Sequence, residues 1–325
     1  MSGLALAGGF AADLLLGDPR RGHPVAGFGR AAGAFERAVY APSRVRGALF
    51  CGVLVGGAAL GAELTARAAS RIWGGRAAVL VLVTWAALGG RSLARAGDEI
   101  SERLARGDLD GARAALPSLC GRDAAALDVD GISRAAVESV AENTSDAVVG
   151  ALLWGAVGGP AGVVAYRAAN TLDAMVGHRS DRYRQFGWAS ARLDDLMGWP
   201  AARLGAALTA LCSPLVGGSP RRAWRVLRRD GAAHPSPNAG RMEAAFAGAL
   251  GVRLGGPLSY GGRAEVRPTL GDGRAPSAAD LQRATTLSLA VGAAAALTCT
   301  ALPRAVRISA RMAVADPQCS TGDAR

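Results

Sequence analysis

Charge falls in blocks along these 325 residues: no Asp, Glu or Arg occurs within Gly47–Ala62, Ala77–Gly90, Ala147–Ala165 or Ala284–Pro303. Uncharged segments of this length belong inside a large core or a bilayer, and a spanning helix needs roughly 20 apolar residues. Gly47–Ala69 and Ala284–Pro303 meet that length with Glu63 and Arg67 near an interface. Ala77–Gly90 is shorter, and Arg76 and Arg91 at its ends extend it by snorkelling. Leu196–Val216 makes a further crossing despite Pro200, Arg203 and Pro214. Leu4–Leu16 is a partial span that carries Asp13. No positive stretch precedes it, so it is not a signal peptide, and Arg20 and Arg21 after it hold its end in the cytoplasm. The pattern predicts an all-α fold: a multipass membrane helical bundle of four to six spans with helical polar loops. A single catalytic domain covers 1–303, and 304–325 form a C-terminal tail.

Composition removes several other classes. The chain has Lys+Arg 37 against Asp+Glu 26, a formal +11, and every basic residue is Arg. Without lysine there is no P-loop. Half the residues are hydrophobic, which excludes disorder, and the 5 cysteines include no C-x-x-C pair. Cys51, Cys212 and Cys299 lie in apolar segments and read as packing residues. Arg221, Arg222, Arg225, Arg228 and Arg229 form a basic stripe around Trp224. Beside spans, such a stripe lies on anionic lipid rather than on nucleic acid.

The run Ala147–Ala169 is interrupted by Gly158-Gly159-Pro160, leaving two pieces each too short to cross alone. It is either one kinked span or a re-entrant helical hairpin buried in protein. The first puts Glu138–Asp146 and Asn170–Asp195 on opposite sides of the membrane; the second brings them together.

Those flanks hold the chemistry. Glu138, Glu142 and Asp146 recur at i, i+4 and i+8, stacking three acids on one helical face that runs into membrane depth. Asn143, Thr144 and Ser145 add oxygens, a donor set suited to Mg²⁺ with phosphate rather than zinc. After the break come Arg167, Asn170, Thr171 and Asp173, then His178, Arg179 and Asp181, then Arg192, Asp194 and Asp195. Arginines for anionic oxygens beside paired aspartates for a metal are the equipment of phosphoryl chemistry. His23-Pro24 and Ser236-Pro237-Asn238-Ala239-Gly240 read as rigid turns.

Taken in order, LLLGDPRRGHPV (Leu14–Val25), RSL (Arg91–Leu93), AVESVAENTSDAVVGALLW (Ala136–Trp154), YRAANTLDAMVGH (Tyr166–His178), RYRQFGWASARLDDL (Arg182–Leu196) and SPNAG (Ser236–Gly240) resemble the CobD/CbiB cobalamin-biosynthesis family. The resemblance extends from the N-terminus to about Leu281. It departs at Arg167, where Lys is expected, at Ala147 for Gly, and at Arg241-Met242 for Trp-Pro. It implies a multipass enzyme of the cell membrane, adenosylcobinamide-phosphate synthase, with its active site facing the cytoplasm. Aminopropanol or its O-phosphate would be joined by an ATP-dependent amide ligation to a propionate carboxyl of adenosylcobyric acid. ATP and Mg²⁺ are implied, with no tightly bound cofactor. The implied partners are the corrinoid, the amine, the lipid bilayer and other cobalamin-assembly enzymes, with no nucleic acid.

For that chemistry Glu142, Asp146, Asp173 and Asp195 are the catalytic candidates, and Glu138, Glu142, Asp146 and Asp194 the candidates for Mg²⁺. His23, Asn143, Arg167, Asn170, Arg179, Arg192 and Asn238 would bind substrate or phosphate. Two other functions share these features. A transporter would also use intramembrane acids and a broken helix, and a non-catalytic membrane protein could tether or regulate partners on the same scaffold.

Overall fold

The computed structural model describes residues 2–19, 22–121, 124–125, 127–178, 180–260 and 263–314, with backbone alone for 257–260, 263–265 and 302–314. Among the described residues, thirteen α-helices follow in chain order. The first seven are α1 (Ser2–Leu16), α2 (Pro24–Val39), α3 (Arg44–Ala69), α4 (Gly75–Ala87), α5 (Gly90–Ala105), α6 (Leu109–Ala115) and α7 (Val129–Thr144). Then come α8 (Gly150–Leu172), α9 (Tyr183–Phe186), α10 (Trp188–Cys212), α11 (Pro220–Asp230), α12 (Ala239–Leu250) and α13 (Ala278–Val314). An antiparallel pair, β1 (Leu254–Tyr260) and β2 (Arg263–Leu270), lies between α12 and α13. Among the described residues, four helical stretches are long and apolar enough to cross a membrane: Arg44–Ala69, Gly75–Ala105, Val129–Gly177 and Ala278–Ala301. The expected all-α membrane bundle is present. The partial span is α1, while the region expected to cross at 196–216 lies in α10 and the 3₁₀ turn that follows it, Ser213–Val216, and is not among those four. The expected tail at 304 begins inside α13, whose helical backbone continues to Val314.

Local chemistry sets many of the helix starts. Asp108 and Asp128 each accept a hydrogen bond from the backbone N–H three residues on, at Gly111 and Gly131. His23 accepts from Val25 N–H through its ring Nδ1 at 3.2 Å, with Pro24 at the first helical position. Between the spanning helices, hydroxyls supply lateral ties: Thr144 donates to Ser288 at 2.7 Å, Ser101 to the Ala278 carbonyl at 2.8 Å, and Thr285 to Asp98 at 2.6 Å.

The element that organises the rest is the interrupted run. Gly159 has φ 59° and ψ −144°, a conformation closed to other residues, and Pro160 follows it. The two halves fold back on one another. A Cβ on Gly155 would come within 2.8 Å of Val163, and one on Gly150 within 2.1 Å of the Tyr166 ring. In a straight helix Gly150 and Tyr166 would stand about 24 Å apart. The segment is therefore a helical hairpin, not a kinked span. Its arms are longer than the apolar composition indicated, because helix continues through Ser145–Val149 on one side and Asp173–Gly177 on the other. The bend lies with the α3–α4 connection: Gly158–Pro160, Ser70, Gly74 and Arg76 line one cavity of about 620 Å³. Trp73 there is 96% exposed, as befits an aromatic at a bilayer interface.

This topology makes a direct prediction. In a chain whose native cysteines are serine, Asp130→Cys and Ser180→Cys are labelled by an impermeant maleimide from the same membrane face. Trp73→Cys and Gly158→Cys react from the other. Labelling of 130 and 180 from opposite faces would mean a straight crossing.

Candidate active site

Folding the hairpin brings the two polar flanks together at its open end. Asp146 interacts electrostatically with Glu142, Arg167, Asp173 and Asp194, and Asp173 in turn with Glu142 and Asp195. Three structural units contribute: the end of α7, the returning arm of α8, and the start of α10. Asp146 and Asp173 both sit on five-residue π-helical turns, Ser145–Val149 and Asp173–Gly177. A π turn inserts an extra residue into the helix and re-aims the side chains around it. Each arm thus presents its aspartate to the other.

The polar groups between the carboxylates form a chain. Arg167 donates to Asn170 Oδ1 at 3.1 Å, and Asn170 Nδ2 donates to Asp194 Oδ1 at 3.2 Å. Burial, reinforced by Asp173, pushes the Asp194 carboxyl up to about 7. No described residue donates a hydrogen bond to the Asp146 or Asp173 carboxylates. Like charges gathered at partly buried positions are costly unless a cation joins them. Among the described residues, no three acidic, histidine or cysteine side chains converge tightly enough to enclose a metal by themselves.

The first loop closes one side. Asp18 lies within electrostatic reach of Arg167 and 3.7 Å from His23 Nε2. The Arg91 N–H donates to buried Asp13 at 3.3 Å, and the Arg91 guanidinium donates to the Leu14 carbonyl. The Ser236–Gly240 turn closes another. Buried Asn238 donates to the Asp195 carbonyl at 2.9 Å and accepts from Arg203 at 3.0 Å. Arg203 in turn stacks over Trp199 at 4.3 Å.

The sequence candidates divide accordingly. Glu142, Asp146, Asp173, Asp194, Asp195, Arg167 and Asn170 are brought together. Asn143 lies beside them but donates back to Ser139, at 2.9 Å to the carbonyl. Asn238 holds the α10 backbone, so it acts on the cluster through Asp195. His23 serves as a helix cap next to Asp18. Arg192 is exposed on α10, one turn before the aspartates. Glu138, one turn before Glu142 on α7, is buried and accepts from the Gly255 N–H at 2.7 Å, tying α7 to β1. Arg179 lies outside the described residues.

Two groups escaped the sequence reading. Tyr166 is buried with its ring over Gly150 and its hydroxyl within electrostatic reach of Asp146, Asp194 and Arg167. Asp18 lies within electrostatic reach of Arg167, about 150 residues on in the chain. Its place within GDPRRGHP was visible, but not its neighbour.

Gly177 provides a local test of the cluster. A Cβ there would fall 1.8 Å from Asp173 Oδ1, so Gly177→Ala must turn that carboxylate out of place. Because only a flexible side-chain end has to move, the variant should keep its thermal midpoint while losing on the order of tenfold or more in turnover. Unchanged turnover would show that the position of Asp173 is unimportant.

The profile of the family described as CobD/Cbib protein matches residues 6–288. The chain is 56% identical over 285 residues to Cobalamin biosynthesis protein CobD of Mycobacterium tuberculosis (strain CDC 1551 / Oshkosh), covering 88% of this chain and 90% of that one. It is 45% identical over 280 residues to the protein of that name from Geobacter metallireducens, covering 84% and 87%. With the one from Rhodobacter capsulatus it shares 43% over 281 residues, covering 83% and 88%. No solved structure matches it.

Proposed function

Since this chain belongs to the CobD/CbiB family of cobalamin-biosynthesis proteins, we propose that its part in that pathway is an amide ligation at the foot of the hairpin. The substrates are a propionate carboxyl of adenosylcobyric acid and aminopropanol or its O-phosphate, and the product is adenosylcobinamide or its phosphate. The carrying observation is that Glu142, Asp146, Asp173, Asp194 and Asp195 lie within electrostatic reach of one another at the open end of the hairpin, with Arg167 beside Asp146. A non-catalytic tether has no use for such a costly grouping of like charges.

A carboxylate does not condense with an amine unaided, so one oxygen must first become a leaving group. In the proposed sequence a propionate oxygen attacks the γ-phosphorus of ATP and ADP departs. The amine nitrogen then attacks the acyl carbon, phosphate leaves, and the amine loses a proton. Arg167 contacts the transferred phosphoryl oxygens, where its fixed charge offsets charge built up on them. Arg179 and Arg192 would bind the remaining phosphates. Asn170 orients Arg167 toward the carboxylates, and Asp195 or Glu142 takes the amine proton. Asn143 would orient substrate.

The donor set suits Mg²⁺. Among the described residues the cluster offers Mg²⁺ only oxygens, no hydrogen-bond donor reaches the Asp146 or Asp173 carboxylate, and no closed cage forms, whereas Mg²⁺ is commonly held by one or two carboxylates together with waters and substrate phosphates. Asp146 and Asp194, with Glu142, would hold it, and when bound it would supply charge neutralisation on the polyphosphate.

The reading is tested with the purified full chain in detergent, given adenosylcobyric acid, ATP, Mg²⁺ and either form of the amine. Mass spectrometry should find the amide and one ADP per amide, and EDTA should abolish both. Corrinoid movement across proteoliposomes with no ADP or amide formed would instead identify a transporter.

A further inference from the structure

The five arginines of α11 divide by structure into two kinds. Arg222 donates to the Gly248 carbonyl at 2.7 Å and the Ala249 carbonyl at 3.3 Å, capping the end of α12. Arg229 is bound between Asp230 and Asp272, at 2.7 and 2.9 Å, and holds the Asp230 carboxyl below the usual carboxylate range. Both are used by the fold. Arg221, Arg225 and Arg228 are exposed, and no carboxylate among the described residues forms an ion pair with them.

Those three are spaced i, i+4 and i+7, with Trp224 at i+3, so they share one stripe of the helix. The opposite stripe, Ala223, Val226 and Leu227, is buried. Trp224 is 48% exposed within the arginine face. Just before α11, Leu211 and Leu215 are each 69% exposed, an apolar surface leading up to the arginines. A soluble partner would meet isolated charges beside exposed leucines, whereas a bilayer matches the whole sequence of features. Its hydrocarbon takes the leucines, its interface takes the indole, and its anionic headgroups take the guanidinium groups.

We propose that α11 lies on the membrane surface in which the chain is embedded, with Arg221, Arg225 and Arg228 binding the phosphates of anionic lipids. The helix thereby fastens α12 and the Ser236–Gly240 turn, which reaches the active-site helix through Asn238, to the bilayer interface.

The test uses the full chain reconstituted in phosphatidylcholine bilayers, with spin-labelled phosphatidylglycerol or phosphatidylcholine as probe. The wild type should retain the anionic probe several-fold more strongly, and R221Q/R225Q/R228Q should lose most of that preference. R221K/R225K/R228K should restore it, and raised salt should weaken it. An unaltered thermal midpoint of the glutamine variant in pure phosphatidylcholine shows that it folds. If that midpoint falls, the preference is read from single substitutions, each expected to reduce it by about fivefold or less. Equal retention of the two probes by the wild type, or full preference in the glutamine variant, overturns the proposal. So does binding of the stripe to added RNA with no preference between lipids.

Discussion

Asp146→Asn and Asp173→Asn should each abolish amide formation while the protein accumulates in the membrane at normal levels. The expected loss is on the order of 10²–10⁴-fold in turnover, the range for removing a proton-transfer or charge-stabilising group. The substitution is nearly isosteric and removes a charge from a crowded acidic site. Asp146 faces Glu142, Asp173 and Asp194, and Asp173 faces Glu142 and Asp195. Relief of repulsion should leave stability equal to or above that of the wild type, even as activity disappears. That opposite movement distinguishes a functional acid from a structural one. Asn238→Ala makes the contrast: it removes the hydrogen bond to the Asp195 carbonyl and should lower stability and turnover together. Wild-type turnover in either aspartate variant would take the reaction away from this cluster.

Gly150→Ala should cost both fold and function. The new methyl would fall 2.1 to 2.4 Å from the Tyr166 ring, which is buried and has nowhere to move. Overpacking of this kind costs about 1–3 kcal/mol, and the arms must part to relieve it. Parting them withdraws Asp146 from Arg167 and Asp173, so turnover should fall far more than stability. Tyr166→Leu in the same chain supplies the missing room. In a double-mutant cycle the thermal midpoint should recover substantially, showing coupling of the two positions across the hairpin. Additive losses would mean that the glycine and the tyrosine do not meet. The cycle reads packing, so it stands even if the ligation assigned to the site is wrong.

Much of the molecule was legible in its order of residues. Blocks of uncharged sequence set the four candidate spans, since a bilayer accepts only helix over such lengths. The break at Gly158-Gly159-Pro160 was visible, as were the acids on either side of it. The motifs from Ala136 to Leu196 indicated the family, to which the chain does belong. Composition could not choose between a kink and a turn, because the backbone of one glycine, at φ 59° and ψ −144°, decides it. The stripe of Glu138, Glu142 and Asp146 assumed an unbroken period of 3.6. Glu138 accepts from the β1 backbone, and a π turn changes the phase at Ser145.

By itself, then, the sequence determined that this is a membrane-embedded α-helical protein whose acids and amides flank one interrupted apolar run, because hydropathy and helical period are local properties. Only the tertiary structure decided that those flanks meet at the open end of one hairpin. The fold-back at Gly159 and the paired π turns under Asp146 and Asp173 set which side chains meet across the hairpin. The difference is physical: burying an apolar helix is settled residue by residue, whereas holding several carboxylates around one arginine requires every helix that bears them to be in place.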